Sequence, residues 1–219
     1  MGIEGTLALL IGVYEVGVMS PANKIPFPKN YPYTEALTGA KYHYSLSECE
    51  SFFDLKDRVV IDWGKSTRSW HQRLREREVV EILPTGYVRD FPGYEEVVLT
   101  YAELKKLMDN PLANRRWHKR LSAVAGIYLI ADKSTGQLYI GSAYGRAGIL
   151  GRWANYARTG HGGNAQLIKL LSNKSEHLSN LRFSILRTLP RDLSAKEVIQ
   201  YEARFKEKLG SRAFGLNSN

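Results

Sequence analysis

The sequence predicts an α+β protein in which a small antiparallel sheet flanked by helices follows an N-terminal, β-rich mixed region. Two short apolar and aromatic runs, 125–131 and 137–141, are joined by a polar turn that ends in Gly136, which is typical of an antiparallel hairpin. Helical patterns follow at 149–158 and from Ser194 onward. Short strand-like runs precede the hairpin, and together these observations favour the α+β class.

Length and composition favour two domains. With 219 residues and 43% hydrophobic content, the chain can bury a core and fits one large domain or two small ones. We predict an N-terminal mixed α/β domain for accessory or target-recognition roles over residues 1–104. A basic helical linker over 105–121 then leads to a C-terminal domain over 122–219.

The N-terminal domain is predicted to consist mainly of strands. The strand-like runs are 7–16, 42–46, 58–63, 79–83 and 95–100. The first run contains Gly12-Val13-Tyr14, and we interpret it as a buried strand.

A basic run in this domain is a candidate nucleic-acid contact. Residues 64–73 contain no acid and interleave Lys65, Arg68 and Arg73 with Trp70, which suits phosphate contact and base stacking. An exposed loop anchored by one tryptophan is the alternative.

The linker is predicted to contain two helices interrupted at Asn110-Pro111. The second helix, 113–121, would present Arg115, Arg116, Lys119 and Arg120. These side chains are candidate nucleic-acid contacts, although a solvated helix face is an equal alternative.

Two tyrosines stand on the predicted hairpin. Tyr128 and Tyr139 are expected to face one another across the ladder, where opposed side chains lie within about 5 Å. Two hydroxyls would then line one patch of the sheet. The alternative is that both are half-buried strand aromatics whose hydroxyls reach water.

The two C-terminal helices add a guanidinium and a carboxylate. Arg152 and Tyr156 are four residues apart and share one helical face, and a planar guanidinium can hold two phosphoryl oxygens at once. The second helix begins with Ser194 and Glu197 at capping-box spacing. In that helix Glu202 is predicted to point inward, where a carboxylate needs a partner such as a hard divalent cation.

Over roughly residues 120–219 the chain resembles the GIY-YIG nuclease family. The matching elements occur in the family order: Gly126-Ile127-Tyr128, Tyr139-Ile140-Gly141, Arg152 with Tyr156, Glu202, and Gly215-Leu216-Asn217. The resemblance implies a small three-stranded antiparallel sheet flanked by helices, with Leu181–Leu189 as the third strand.

The resemblance also implies hydrolysis of a phosphodiester bond with one Mg²⁺ or Mn²⁺ ion. In that scheme Tyr128 is the general base, Tyr139 hydrogen-bonds the phosphate or a water, Arg152 stabilises the pentacovalent state and Glu202 binds the metal. A tyrosine base at neutral pH requires a pKa lowered from about 10, and nearby cations are the available cause.

Two more residues complete the predicted catalytic set, and one alternative stays open. Tyr156 and Asn217 join Tyr128, Tyr139, Arg152 and Glu202. Arg146 is the alternative to Arg152, because the segment between Tyr139 and Arg152 is long.

The charge distribution indicates a polyanionic partner. Residues 1–119 hold 16 basic and 16 acidic residues, whereas residues 120–219 hold 15 and 6, so the net charge of +9 lies with the motif. The glycine-rich segment Thr159–Asn164 could cradle a phosphate with backbone amides, although it is more often a simple turn. The predicted contacts are Lys65, Arg68, Trp70, Arg115, Arg116, Lys119, Arg146, Arg158, His161 and Lys169.

We therefore expect a metal-dependent endonuclease acting on DNA, most simply double-stranded, of a restriction or phage-defence type. A structure-specific repair nuclease and a catalytically silent nucleic-acid-binding protein are the alternatives, and a dimer on DNA is a further hypothesis. The histidine spacing does not indicate zinc, and no segment reaches the about 20 apolar residues of a membrane helix. The single cysteine, Cys49, suits a reducing cytoplasm.

Overall fold

A computed structural model shows a mixed α+β fold with several small antiparallel sheets. The described residues are 5–24, 39–64, 76–173 and 175–217. The chain divides into two compact units, Met1–Thr85 and Gly86–Asn219.

This division differs from the predicted domains, because the predicted linker belongs to a core. Leu104, Trp117 and Leu121 are buried in one cluster with Tyr128 of the hairpin. Residues 105–121 are therefore part of the C-terminal unit, and that unit begins at Gly86.

In Met1–Thr85 the strands form a three-stranded sheet and a separate two-stranded ribbon. The sheet has the order β1-β4-β5 and the ribbon pairs β2 with β3, all antiparallel. The strands are β1 (Leu7–Leu9), β2 (Tyr14–Pro21), β3 (Tyr42–Glu48), β4 (Val59–Asp62) and β5 (Val79–Ile82). Short 3-10 turns span Ala22–Lys24 and Glu50–Phe52.

The predicted buried strand over 7–16 is two strands in different sheets. β1 pairs with β4, whereas β2 begins at Tyr14 and pairs with β3. Tyr14 is 47% exposed, so the expectation of burial is also wrong. Seven of the eight residues of β2 are exposed, so this strand does not belong to a buried layer.

In Gly86–Asn219 one four-stranded antiparallel sheet has the order β6-β9-β7-β8. Its strands are β6 (Val98–Thr100), β7 (Ala125–Asp132), β8 (Leu138–Ala143) and β9 (Leu181–Leu189). The bounds of β9 agree with the predicted third strand. The sheet has one strand more than predicted, because β6 pairs with β9 through Val98, Leu99 and Thr100.

Helices cover both faces of this sheet. They are α1 (Tyr101–Asp109), α2 (Arg115–Ser122), α3 (Gly148–Thr159), α4 (Ala165–Asn173), α5 (Ala195–Lys208) and α6 (Ser211–Phe214), with a 3-10 segment over Ser175–Asn180. Buried residues of α1 to α4 share one core with Tyr128 and Phe183, while Val198 of α5 packs on the opposite face with Ile127 and Ile140.

Capping residues define where two of these helices begin. The Ser194 hydroxyl accepts a hydrogen bond from the Glu197 amide, and the Glu197 carboxylate accepts one from the Ser194 amide, as the spacing predicts. Thr100 and Glu103 form the same capping box at the start of α1. No helix within the described ranges is both long and apolar enough to cross a membrane.

Candidate active site

The register of the hairpin places two tyrosines on one face of the sheet. Tyr128 lies opposite Gly141, and Tyr139 lies opposite Ile130. The expectation that the tyrosines are directly opposed is therefore wrong, and they are diagonal neighbours whose ring centroids are 6.3 Å apart. A side chain at position 141 would overlap the Tyr128 phenol, so this glycine makes room for the ring.

Arg152 is held against the tyrosines by three hydrogen bonds. Its Nε donates to the Tyr128 hydroxyl at 3.0 Å, its Nη2 to the Tyr156 hydroxyl at 3.4 Å and its Nη1 to the carbonyl of Gly162 at 3.0 Å. The described residues thus use three of the five guanidinium N–H groups, and the other two are available to an anion. The side chain is oriented before any ligand binds.

Burial dominates the protonation of the phenols. Tyr128 and Tyr156 are fully buried, and their hydroxyls are 3.1 Å apart. Burial raises the pKa of Tyr128, and the Arg152 guanidinium offsets only part of that rise. Burial, followed by the proximity of Tyr128, also raises the pKa of Tyr156. The expected lowering of the Tyr128 pKa is wrong, because loss of water outweighs the attraction of one cation.

Glu202 lies on α5 with its side chain 16% exposed. Its Oε1 is 2.8 Å from Nζ of Lys206, one helical turn further along, and Ser142 donates its hydroxyl to Oε2. The Lys206 side chain is only 8% exposed. Both carboxylate oxygens therefore have a partner, and one of those partners is a buried ammonium.

These side chains meet in a cavity of about 1020 Å³ beside β8, an edge strand of the sheet. Tyr128, Tyr139, Arg152 and Glu202 all line it, with contributions from β7, β8, α3 and α5. The charged lining residues are four cations and one anion: Arg146, Arg152, Lys206, Arg212 and Glu202. The cavity is therefore suited to an anionic ligand.

Glu202 is the residue that could hold a divalent cation. Among the described residues, no group of three or more His, Cys, Asp or Glu side chains could form a metal site. Mg²⁺ is nevertheless commonly held by one or two carboxylates, with water and substrate phosphate completing its shell. A single carboxylate in the cavity fits that pattern, but the Lys206 ammonium now occupies its Oε1.

Two predicted catalytic residues lie outside the cavity lining. Tyr156 is buried behind it and contacts Tyr128 and Arg152 through its hydroxyl. The Asn217 side chain forms two hydrogen bonds with the backbone of β8. It accepts from the amide of Ile140 and donates to the carbonyl of the same residue, both at 2.8 Å. Tyr156 therefore positions Tyr128 and Arg152, and Asn217 attaches the C-terminal segment to an edge strand.

The predicted nucleic-acid contacts are dispersed. Lys65, Arg68 and Trp70 lie outside the described residues. The other basic contacts are exposed, and they lie on α2, in the segment before α3, near the end of α3 and on α4: Arg115, Arg116, Lys119, Arg146, Arg158 and Lys169. Of these, Arg146 lines the cavity. Arg152 lines it too and donates to the Tyr128 hydroxyl, and this geometry favours Arg152 over Arg146.

The glycine-rich segment is not the predicted phosphate cradle. The amide of Gly162 donates to Thr159 Oγ1, that of Gly163 to Nδ1 of His161, and that of Asn164 to the His161 carbonyl. These amides are used inside the turn, so they do not converge on a ligand. The segment contributes instead the carbonyl that orients Arg152.

The cavity residues that sequence reasoning missed include Ser142, Lys206 and Arg212. Lys206 follows Glu202 by four residues, a spacing that places two helical side chains side by side. That spacing is the signal that could have identified it. Ser142 and Arg212 have no comparable local signal, because the sheet and α6 bring them to the cavity.

Comparison with known proteins gives one structural likeness. No protein-family model matches the chain, and no curated protein matches it. Among solved structures the chain is similar to a mutant of the catalytic domain of intron endonuclease I-TevI, with 22% identity and a TM-score of 0.36, over 44% of this chain and 94% of that domain.

Proposed function

We propose that this chain is a metal-dependent endonuclease of the GIY-YIG type that hydrolyses phosphodiester bonds in DNA. The observation that supports this most directly is the shared cavity. It brings together the phenols of Tyr128 and Tyr139, the Arg152 guanidinium, which donates to Tyr128, and the Glu202 carboxylate in a single space whose charged residues are mainly cations.

Arg152 is the residue that would bind the scissile phosphate. Its remaining N–H donors can hold phosphoryl oxygens, and its fixed orientation means that little reorganisation is needed as charge develops. Tyr139 lines the same cavity and, among the described residues, its hydroxyl makes no hydrogen bond. It is suited to donate to a phosphate oxygen or to a water.

Tyr128 would orient the attacking water. Because its pKa is raised by burial, Tyr128 keeps its proton at neutral pH in the protein alone. A general-base role therefore requires a further positive charge when substrate is bound. A Mg²⁺ or Mn²⁺ ion held by Glu202 would supply such charge and Lewis-acid stabilisation of the phosphoryl oxygens.

The finer assignments are also proposals. The basic surplus lies entirely in residues 120–219, which favours an extended polyanion such as duplex DNA as the substrate. A unit with balanced charge, such as Met1–Thr85, is suited to target recognition in a restriction or phage-defence role. Cleavage of both strands by one active site would require two copies on the DNA.

A catalytically silent nucleic-acid-binding protein is the second candidate. One observation favours it: the Lys206 ammonium occupies Glu202 Oε1, the oxygen that a metal would need. The two candidates differ in whether strands are cut.

A plasmid-nicking assay distinguishes them. With Mg²⁺ we expect conversion of supercoiled to open-circular or linear DNA, and no conversion after addition of EDTA. Glu202→Gln retains the shape of the side chain and removes its charge, so we expect cleavage to fall by about 10²–10³ or more while a gel shift of the duplex remains. Undiminished cleavage by this variant would disprove the assignment of Glu202.

A substrate panel then identifies the class of nuclease. Duplex, branched and single-stranded DNA of one sequence are compared at equal concentration. Preference for duplex supports the restriction-type role, and preference for branched DNA supports the structure-specific repair alternative.

A further inference from the structure

The ion pair between Glu202 and Lys206 lies in the cavity rather than on the outer surface of α5. Exposed lysine–glutamate pairs at this spacing are common and contribute little. Here the side chains are 16% and 8% exposed, and both line the cavity that holds Arg152 and Tyr139. A buried pair at this place therefore has a consequence for ligands.

The two oxygens of Glu202 are not equivalent. Oε2 accepts the Ser142 hydroxyl, a neutral donor, whereas Oε1 is 2.8 Å from a cationic ammonium. A divalent cation at Oε1 would meet that ammonium at close range in a site with little water, where like charges repel strongly. Lys206 must therefore move away before such a cation can bind at Oε1.

The lysine side chain is more adaptable than the guanidinium of Arg152, which lines the same cavity. Arg152 is fixed by three hydrogen bonds through a planar group. A lysine instead has a flexible stem and an ammonium whose donors rotate freely. The cavity that Lys206 lines is suited to an anion, so a phosphate bound there is an alternative partner for the ammonium.

We propose that Lys206 couples the two ligands of this site: it blocks divalent-cation binding at Glu202 until a phosphodiester draws its ammonium away. This inference rests on the proposed function, since it takes Glu202 to be the metal-binding residue. Lys206 acts through Glu202 and is therefore a positioning residue. Its effect is to keep the cation site weak in the absence of nucleic acid.

Manganese binding without DNA tests the block directly. MnCl₂ is titrated into the full chain, and bound Mn²⁺ is measured by electron paramagnetic resonance and calorimetry. Lys206→Met removes the ammonium with little change in volume, and we expect it to bind Mn²⁺ about tenfold more tightly than the wild type, which corresponds to about 1.4 kcal/mol. Lys206→Arg retains the positive charge and is expected to bind as weakly as the wild type.

The coupling is tested by adding a short duplex with phosphorothioate linkages. The same duplex with Glu202→Gln gives the Mn²⁺ bound by DNA alone. After this background is subtracted, the duplex should tighten Mn²⁺ binding to the wild type by about tenfold and change the Lys206→Met affinity much less. Melting temperatures show whether each variant is folded.

The outcomes separate this inference from the proposed function. Equal Mn²⁺ affinities for the wild type and Lys206→Met, both abolished by Glu202→Gln, would overturn the block while leaving Glu202 as the metal ligand. If the double variant Lys206→Met, Glu202→Gln binds Mn²⁺ as well as Lys206→Met, the cation lies elsewhere. That result would overturn both this inference and the metal assignment in the proposed function.

Discussion

The two compact units contain similar strand-forming residues but bury them to very different extents. In Gly86–Asn219, Ile127 and Ile130 of one strand are both fully buried, on opposite faces of the sheet. In Met1–Thr85, Val16 and Val18 of β2 are 67% and 74% exposed. β propensity therefore makes strands in both units, but the sheet covered by helices is buried on both faces, whereas the β2–β3 ribbon is mostly exposed.

Charge separates the units as well. Met1–Thr85 holds 10 basic and 11 acidic residues, whereas Gly86–Asn219 holds 21 and 11. The unit with the packed sheet thus also has the basic surplus and the cavity. The site depends on rigid packing, because a guanidinium shared between two buried phenols needs fixed neighbours on every side.

We expect the largest change in cleavage from a pair of arginine variants, one in each unit. Arg152→Ala should lower cleavage at saturating DNA by about 10²–10³, because it removes the donors that we propose bind the phosphate. Arg58→Ala in Met1–Thr85 removes an arginine that binds only carbonyls, those of Leu83 and Asp54, and should leave turnover within about twofold. Single-turnover kinetics measure both. Comparable losses in the two variants would show that the chemistry is not confined to Gly86–Asn219.

The next effect compares two leucines. Leu121 is fully buried in the core of Gly86–Asn219, and Leu46 on β3 is 62% exposed. Leu121→Ala should lower the free energy of unfolding of its unit by about 2–5 kcal/mol, because a cavity remains. Leu46→Ala should change the unfolding of Met1–Thr85 by about 0.5 kcal/mol or less. Calorimetry measures both, and a large loss for Leu46→Ala would mean that the ribbon is packed in solution.

A smaller effect separates buried from exposed amides within one unit. Asn217→Ala removes both hydrogen bonds to the Ile140 backbone and should cost about 1–3 kcal/mol, since buried polar groups lose their partners. Asn110 donates to Lys106 O at an exposed helix end, so Asn110→Ala is the matched control with an effect of about 0.5 kcal/mol or less. Chemical denaturation measures the two. If Asn217→Ala unfolds like the control, the attachment of the C-terminal segment to β8 is unimportant for stability.

The smallest effect concerns acid and compares one aspartate from each unit. Burial opposes ionisation of Asp132, but hydrogen bonds from Ser134 and Thr135 outweigh it and lower its pKa. The backbone amide of Gly64 lowers the pKa of Asp62.

Because both carboxylates have a lower pKa when folded, their stabilisation is present above about pH 4 and is lost as the pH falls through the folded pKa values. Unfolding measured between pH 6 and pH 2 should show a shallower acid loss for Asp132→Asn and for Asp62→Asn than for the wild type. An unchanged acid slope in either variant would remove that aspartate from the account.

Local patterns predicted most of the C-terminal elements. The hairpin and the capping box at Ser194 agree with the structure because each depends on neighbouring residues and their period, whereas the bounds of β9 came from the family resemblance. The place of Val98–Thr100 as the fourth strand of the sheet was not predicted, because this strand is short and pairs with a strand more than 80 residues later. The prediction that residues 7–16 are buried is wrong because an apolar run does not specify whether a second layer covers it.

The amino-acid sequence alone specifies which chemical groups this protein has and how each is placed along its own strand or helix, because side-chain periodicity and helix capping depend on neighbouring residues. Only the tertiary structure decided that Arg152 is shared between Tyr128 and Tyr156, that the pKa of Tyr128 rises, and that Lys206 holds Glu202 within the cavity. The physical reason is that burial and charge interactions depend on distances across the core, which spacing along the chain does not specify.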